Sequence, residues 1–357
     1  MFKFCCAIMV LLLTFPAAAC TDFQIKAQDG SVVVGRSMEF AIEIDSDVVV
    51  YPKVEKMTSL DADGKKGLSW KPQYGYLGID GFKETAAMMD GVNEAGLSVE
   101  FLWFTESQYN QAKGNNWVAI TDLGHWMLGN FATTDQVKKA IRKINVIGVY
   151  VPELKQAPGL HAAVHDAQGN SIVIEFIGGK TNIYDNPTGV MTNKPTFDWH
   201  LTNLRNYVSL TPYDRGVKSI AGMKVDQAGS GSGLLGLPGD WTPPSRFIRT
   251  ALMVHSAEPV KDAAGAVNLA EHILNANDIP FGVVRTSNPG NKDMLESTQW
   301  IVIKDLTNGI LYFRSYQNLT LKSVDMKKLD LSLGAAIKTT PIERAKDAVI
   351  DVTAELI

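Results

Sequence analysis

The positions of the three cysteines constrain this chain more than any other feature. Cys5 and Cys6 lie in a leader-like segment, in which Lys3 precedes an apolar run and a triplet of alanines at 17–19. This alanine pattern is typical of a signal peptidase site, and the run is shorter than the roughly 20 apolar residues that span a bilayer. Cleavage after residue 19 would leave Cys20 as the first residue and the sole thiol. The exported chain must then fold without an intramolecular disulfide.

A lipoprotein signal is the alternative interpretation of the same segment, because small residues before a cysteine also precede a lipidated cysteine. A lipidation signal prefers a large aliphatic residue three positions earlier, where this chain has Ala17. Lipidation would anchor Cys20 to a membrane and acylate its amine. Plain cleavage would leave the amine free. We therefore predict a signal peptide over 1–19, one domain over 20–357, and a periplasmic or secreted location, with no membrane contact unless Cys20 is lipidated.

The composition describes a globular protein with a large core. Removal of residues 1–19 from 357 leaves 338 residues, and the full chain is 45% hydrophobic and 9% aromatic. The formal net charge of −4 becomes −5 without Lys3, and no basic run is present, which argues against nucleic acid as a partner. No segment after the leader reaches 18 consecutive apolar residues, so no further membrane span is predicted.

Strand patterns at both ends of the chain enclose a region of helical patterns. Three hairpins are predicted, over 21–34, 161–176 and 299–315. The first would hold Cys20 at the exposed tip of a strand. Between strand-like runs, the residues over 90–96 predict a turn. Helices are predicted over 120–131, 135–144, 245–255 and 262–277. This order favours α+β layers over a parallel α/β sheet.

The stretch 227–244 is rich in glycine, serine and proline and is either a linker or a packed functional loop. Its leucines and Trp241 favour the loop.

A cysteine at a chain's first position can supply both a nucleophile and a base. The thiolate is the reactive form, and a free α-amine, with a pKa of roughly 7.7 to 8.0, can accept and return a proton near neutral pH. None of the six histidines forms a recognisable Cys-His or metal-ligand cluster. His161 and His165 would share one face of a strand, where a structural role is favoured. We therefore predict neither a metal nor an organic cofactor.

Five ordered motifs carry a family resemblance along almost the whole chain after the leader. They are Cys20-Thr21, Gly35-Arg36-Ser37-Met38-Glu39-Phe40, Asp90-Gly91-Val92-Asn93-Glu94-Ala95-Gly96-Leu97, Val190-Met191-Thr192-Asn193 and Gly236-Leu237-Pro238-Gly239-Asp240-Trp241-Thr242-Pro243-Pro244-Ser245-Arg246-Phe247. In this order they resemble the choloylglycine hydrolases, meaning penicillin V acylases and conjugated bile salt hydrolases, within the N-terminal nucleophile hydrolases. The resemblance implies a four-layer αββα sandwich with antiparallel sheets.

The resemblance also implies roles for particular residues. Cys20 would be the nucleophile, and Arg36 would lie beside its thiol, where a positive charge favours thiolate. Asn193 would help to form the oxyanion hole, and Arg246 would line the site. Donors aimed at a developing oxyanion typically contribute a few kcal/mol to the rate.

Two positions depart from the family pattern. Glu39 stands where family members usually carry an aspartate that orients the nucleophilic residue, and a carboxylate displaced by about 1 Å can cost on the order of 100-fold in rate. Trp103 resembles the Gram-negative penicillin V acylases, some of which also cleave acyl-homoserine lactones. An aromatic side chain there favours packing on a phenyl or acyl group, and its backbone N–H would be the second oxyanion donor.

The implied function is hydrolysis of linear carboxamide bonds in N-acyl substrates of the penicillin V or acyl-homoserine lactone type, through a thioester. Conjugated bile salts are the alternative substrate class. A different class of function is a surface lipoprotein with weak catalysis, anchored through Cys20. The long interval between Asn193 and Arg246 resembles the extension through which family members often form tetramers, so a homotetramer is expected.

Overall fold

The computed structural model describes residues 19–287 and 291–343. Residues 1–18 of the leader predicted over 1–19 lie outside this part of the chain. Two long antiparallel sheets dominate the described residues, together with five α-helices.

The helices and strands have the following bounds. The helices are α1 (Leu123–Asn130), α2 (Thr134–Ile141), α3 (Phe197–Asn203), α4 (Pro243–Ser256) and α5 (Ala263–Asn275). The strands are β1 (Ala19–Lys26), β2 (Val32–Phe40), β3 (Asp47–Tyr51), β4 (Met57–Leu60), β5 (Lys66–Trp70), β6 (Tyr76–Gly81), β7 (Glu84–Asn93), β8 (Leu97–Trp103), β9 (Trp117–Ala119), β10 (Asn145–Ile147), β11 (Leu160–Asp166), β12 (Ser171–Ile177), β13 (Lys180–Asp185), β14 (Val190–Met191), β15 (Lys218–Ile220), β16 (Met223–Val225), β17 (Arg285–Thr286), β18 (Met294–Leu295), β19 (Ser297–Asp305), β20 (Ile310–Ser315), β21 (Lys322–Asp325) and β22 (Lys338–Pro341).

The two large sheets are antiparallel throughout. The first has the strand order β14-β1-β2-β19-β20-β21, and the second has the order β13-β12-β11-β8-β7-β6-β3-β22. The three predicted hairpins are β1-β2, β11-β12 and β19-β20. The hairpin patterns therefore identified the four central strands of the first sheet and two strands of the second.

The helices cover the outer faces of the sheets. Helices α4 and α5 contact β1, β2 and β19, whereas α1 contacts β7 and β8 and α2 contacts β11. One apolar core joins the first sheet to its helices and to the facing sheet, and a second lies between the other sheet and α1 and α2. These layers confirm the α+β sandwich that the sequence predicts. Among the described helices, none is long and apolar enough to cross a membrane.

Strand β2 is buried over its whole length, although it contains Arg36 and Glu39. Its Gly35 is required by close packing, because a Cβ atom there would lie 2.7 Å from the ring of Phe23 on β1. The strand thus brings two charged side chains into the interior of the sandwich.

The turn predicted over 90–96 is shorter than expected, since β7 continues through Asn93. The Asn93 side chain accepts hydrogen bonds from the backbone of Ala95 and Leu97, and Gly96 adopts a left-handed φ of 81°. The first half of this motif therefore belongs to a strand, which places Asp90 inside the sandwich.

The stretch 227–244 is a partly packed loop. Trp241 donates its indole N–H to the backbone oxygen of Asp278 at 3.1 Å, whereas Leu235 is exposed. The loop leads directly into α4, which begins with Pro243 at its first position.

Candidate active site

The register between β1 and β2 positions Cys20. It pairs with Met38, and Asp22 pairs with Arg36. Paired residues in an antiparallel sheet point their side chains to the same face, and the Cys20 Sγ lies 3.8 Å from the Met38 Sδ. The thiol therefore faces the space between the two sheets.

The prediction that Cys20 lies at an exposed tip is wrong. The residue is 2% exposed and belongs to the core shared by the two sheets. The hairpin pattern identified the strand correctly, but the facing sheet covers its end.

Asn193 and Arg246 hold the backbone of residue 20. The Cys20 backbone N donates to the Asn193 Oδ1 at 2.8 Å, and Arg246 donates to the Cys20 carbonyl oxygen and, at 2.7 Å, to the Asn193 Oδ1. Arg246 lies in the first turns of α4, and its Nε donates to the Trp241 backbone oxygen at 3.0 Å. Both predicted residues therefore contact Cys20 directly.

The side-chain amide of Asn193 is fixed by its partners. Its oxygen accepts two hydrogen bonds, so its nitrogen must be the atom that donates to the Trp103 carbonyl at 2.9 Å. One N–H of the amide is thereby engaged. The second N–H of the Asn193 amide is the donor from which an oxyanion could accept a hydrogen bond.

The backbone N–H of Trp103 points away from β11. Phe104 donates to the Gly159 oxygen at 2.7 Å, whereas the Leu160 backbone N donates to the Tyr109 hydroxyl at 2.9 Å. Trp103 and Leu160, which are register partners, thus form the non-hydrogen-bonded pair of the ladder. Strand pairing with β11 leaves the Trp103 N–H available to another acceptor.

Glu39 is fully buried beside this group of residues. Its Oε1 accepts from the Thr298 hydroxyl at 2.9 Å, and its Oε2 has no hydrogen-bond partner among the described residues. Burial raises the pKa of Glu39 to about 8, although Arg246 opposes the rise. We call Glu39, Asn193 and Arg246 the polar wall of the site.

Burial also raises the pKa of the Cys20 thiol above its usual range, while Arg36 and Arg246 act in the opposite direction. Arg36 lowers the pKa of the thiol, in the direction that the sequence predicts. The rise in pKa that desolvation causes is larger than this decrease, because the thiol lies in an apolar environment. The Cys20 thiol consequently needs a base to become a nucleophile at neutral pH.

Apolar side chains form the opposite side of the thiol. A cavity of about 70 Å³ extends from Cys20 and is lined by Met38, Phe40 and Trp103, with Met88 and Leu160 further in. The rings of Phe40 and Trp103 are 5.5 Å apart between centroids. We call Met38, Phe40 and Trp103 the apolar wall.

Comparison with known proteins assigns the chain to a family. The sequence model described as linear amide C-N hydrolases, choloylglycine hydrolase family, matches residues 20–344. The chain belongs to the choloylglycine hydrolase family. Its class of activity is therefore hydrolysis of carbon-nitrogen bonds in linear amides.

Relatives named for different activities share this family. A bile salt hydrolase/transferase of Clostridium perfringens is 32% identical, over 90% of this chain and 96% of that protein. A penicillin V acylase of Pectobacterium atrosepticum is 28% identical, over 92% of this chain and 87% of that protein. The crystal structure of a variant of conjugated bile acid hydrolase from Clostridium perfringens superposes with a TM-score of 0.81 at 29% identity, over 92% and 99% of the two chains.

Sequence reasoning missed several residues of this choloylglycine hydrolase fold. Thr298 binds Glu39, and the fully buried Glu296 has two side-chain oxygens without a hydrogen-bond partner among the described residues. Asp90 contacts Arg36 at 3.5 Å. Asp90 lies within the motif over 90–97, but the prediction of a turn over 90–96 conceals its place in a strand. Nothing in the local sequence marks the other two.

One cluster of the described residues has the donor types of a metal site. Ligand atoms of Asp22, Glu100 and His165 all lie within 4.8 Å of one another. The Lys304 ammonium contacts Glu100, and His165 contacts Asp22 at 2.8 Å. We assign this cluster to charge pairing rather than to metal binding, because these cations already supply the positive charge that the carboxylates require.

Proposed function

We propose that this protein is an exported amidohydrolase in which leader cleavage makes Cys20 an N-terminal nucleophile. The supporting observation is the convergence at residue 20. Its nitrogen is bound by Asn193, its carbonyl is bound by Arg246, and its sulfur lies at an apolar cavity. Nucleophile, base and acyl site would then meet at one residue.

The proposed reaction begins when the α-amine of Cys20 takes the proton of the thiol. The sulfur attacks the carboxamide carbon, and the oxyanion accepts hydrogen bonds from the Asn193 amide and the Trp103 backbone N–H. The carbon-nitrogen bond breaks as the Cys20 ammonium gives its proton to the leaving nitrogen, which produces a thioester. Water then attacks the thioester, the amine accepts its proton, and the acid and the free thiol are released.

The raised pKa of the thiol supports the role of the amine. A thiol that stays protonated at neutral pH requires a base within hydrogen-bond reach, and a free α-amine has a pKa of roughly 7.7 to 8.0. The described residues around Cys20 include no histidine in contact with its sulfur. The amine of the same residue fills this role without another side chain.

The shape of the cavity favours a slim acyl group. Its volume of about 70 Å³ lies well below the roughly 300–1,000 Å³ of sites that enclose drug-sized ligands, so a phenyl ring or alkyl chain fits it better than a steroid. The Trp103 indole N–H, which has no acceptor within the described residues, could bind an oxygen near the acyl carbonyl. Phenoxyacetyl groups and 3-oxo-acyl chains both carry one. We therefore propose penicillin V-type or acyl-homoserine lactone substrates.

Conjugated bile salts are the second candidate. They are favoured by the 32% identity to a protein named bile salt hydrolase/transferase. A steroid would have to lie largely outside the cavity, with its side chain alone beside the thiol.

A test of the reaction compares the exported protein with its Cys20→Ala variant on penicillin V, acyl-homoserine lactones, and glyco- and tauroconjugated bile salts. We expect hydrolysis of the slim acyl amides by the parent protein and no turnover by the variant. A thioester adduct of one acyl mass on Cys20 should be trapped by acid quenching. Equal activity of the variant would disprove the role of Cys20, and preferential cleavage of bile salts would replace the proposed substrate class.

The state of the Cys20 amine separates the enzyme from a lipoprotein. Intact mass and N-terminal sequencing of the exported protein should give a chain that begins at Cys20 with a free amine. A diacylglyceryl cysteine with an acylated amine would support the lipoprotein instead, because the proposed base would then be blocked.

A homotetramer is the proposed assembly. Between Asn193 and Arg246, the β15-β16 hairpin exposes Ile220 and Met223 by more than half, and Tyr213 is 79% exposed nearby in sequence. Apolar side chains on a projecting hairpin are typical of an interface. Light scattering should give four times the monomer mass, and Ile220→Asp with Met223→Asp should reduce it.

A further inference from the structure

Six charged side chains lie fully buried between the two sheets. They are Asp22, Arg36, Asp90, Glu100, His165 and Lys304. Isolated charges are rarely buried in this way, because the loss of hydration costs several kcal/mol per ion unless a partner compensates. We call these six residues the buried ion network.

The contacts of the network form one continuous path. The Arg36 Nη1 lies 3.5 Å from the Asp90 Oδ2, and the Lys304 Nζ lies 2.6 Å from the Asp90 Oδ1. Lys304 also contacts the Glu100 Oε1. The path therefore crosses between the sheets three times, from β2 to β7, from β7 to β19 and from β19 to β8.

His165 connects the path to β1, the strand that carries the Cys20 thiol. Its Nε2 lies 3.7 Å from the Glu100 Oε2 and 2.8 Å from the Asp22 Oδ2. Asp22 is two residues from Cys20 on β1 and is the register partner of Arg36. Both ends of the network thus reach the neighbourhood of the Cys20 thiol.

The charges of the network balance when His165 is protonated. Burial alone would lower the pKa of His165, but Asp22 and Glu100 raise it above its ordinary value. Burial likewise opposes the charge of Lys304, and Asp90 and Glu100 raise its pKa overall. Burial raises the pKa of Asp90 to about 6 and also raises that of Glu100, while Lys304 opposes both rises. When all six groups are ionised, three cations face three carboxylates, and removal of any one charge then leaves a net charge in a medium of low dielectric constant.

We propose that Asp90 and Lys304 are positioning residues that set, through Arg36, the electrostatic potential at the Cys20 sulfur. Asp90 neutralises part of the Arg36 charge, and Lys304 limits how much of it Asp90 neutralises. The inference rests on the proposed function, since it concerns the same thiol.

Other charged groups face Cys20 and stay constant in the test. They are Glu39 on β2, Arg246 on α4 and the amine of residue 20 itself, with Glu296 beside Arg246. Because none of them belongs to the network, substitutions at Asp90 and Lys304 change the potential without removing a group that touches the thiol.

The experiment measures the rate at which iodoacetamide alkylates Cys20 between pH 6 and pH 11. The exported protein is used, and mass spectrometry of the peptide that contains Cys20 reports the rate. No turnover is required, so this readout is independent of whether the protein hydrolyses the proposed substrates. Failure of the inference and failure of the proposed function are therefore distinguishable.

Two substitutions should move the alkylation midpoint in opposite directions. Asp90→Asn leaves an extra positive charge and should lower the midpoint by about 1 pH unit, as expected for a unit charge roughly 10 Å away at an effective dielectric constant of about 20. Lys304→Met should raise it. The double variant restores the balance and should return the midpoint to within about 0.3 pH unit of the parent.

A merely structural role predicts a different pattern. Thermal unfolding would then show destabilisation in both single variants. Their alkylation midpoints would stay unchanged or would move in the same direction, and either behaviour of the alkylation midpoints overturns the inference.

Glu55→Gln removes an exposed carboxylate paired with Lys71 and serves as the matched control. We expect no shift of its alkylation midpoint, because solvent screens the charge of Glu55. If one single variant does not fold, the other single variant and the double variant still decide the direction.

Discussion

Two members of the polar wall, Asn193 and Arg246, hydrogen-bond to the backbone of residue 20, whereas the side chains of the apolar wall line the cavity beside its sulfur. Asn193 and Arg246 bind the Cys20 nitrogen and carbonyl, and Met38 and Trp103 line the cavity. The polar wall therefore has the groups that a carbonyl reaction needs, whatever acyl group is present. The apolar wall has the shape that selects the acyl group. Rate and selectivity should be separable by mutation.

The largest expected effect is on the polar wall. Asn193→Ala removes an amide that binds the Cys20 nitrogen and provides a donor to the oxyanion, so kcat should fall by about 10²–10³. The fall should be the same for every acyl group cleaved, as measured by steady-state kinetics on at least two substrates. The exposed Asn115→Ala is the control. A loss that differed strongly between acyl groups would break the separation of the two walls.

The carboxylate of the polar wall is the next target. Glu39→Asp retracts the carboxylate by about 1 Å from the Thr298 hydroxyl that holds it, and we expect kcat to fall by roughly 100-fold. Thr298→Val removes the hydroxyl donor but keeps glutamate at position 39, and it should produce a smaller fall in kcat. Higher activity of the aspartate variant would mean that the backbone has not adapted to glutamate.

The pH dependence of stability tests the burial of Glu296, which lies beside Arg246 of the polar wall. Burial raises the pKa of Glu296 to about 7 from an ordinary 4.5, so its stabilising effect is complete below about pH 4.5 and is lost as pH rises through 7. Glu296→Gln stays neutral and should be more stable than the parent protein by about 2 kcal/mol at pH 8, but not at pH 4.

Urea unfolding at the two pH values measures this difference. Glu153→Gln, at an exposed position, is the control and should show the same free energy of unfolding as the parent at both pH values. A constant difference between Glu296→Gln and the parent across this range would contradict the buried, ionising carboxylate.

The smallest expected effect is on the apolar wall. Trp103→Ala keeps the backbone N–H but enlarges the cavity, so kcat/KM for slim acyl groups should fall by about 10-fold relative to bulkier ones. The ratio of kcat/KM for phenoxyacetyl and steroid amides measures the change. Trp199→Ala, at a tryptophan that is 41% exposed, is the control. An equal loss on both substrates would place Trp103 in the rate-determining chemistry instead.

The ordered motifs predicted most of the residues around Cys20. Arg246 and Asn193, which the resemblance places in the site, hydrogen-bond to Cys20, and Glu39 and Trp103 lie beside it. The central hairpins and helices α1, α2, α4 and α5 also follow from periodicity and turn residues. The roles of these residues in catalysis stay predictions until the variants are measured.

The sequence by itself determined three hairpins and helices α1, α2, α4 and α5, because periodicity and turn chemistry act between residues close in the chain. Only the tertiary structure decided that Cys20 is buried, that Asp90 lies in a strand beside Arg36, and that Lys304 reaches across to the facing sheet. The Lys304 and Asp90 side chains are 214 positions apart in sequence and 2.6 Å apart in space. Such contacts depend on how two sheets stack, and no local pattern encodes that distance.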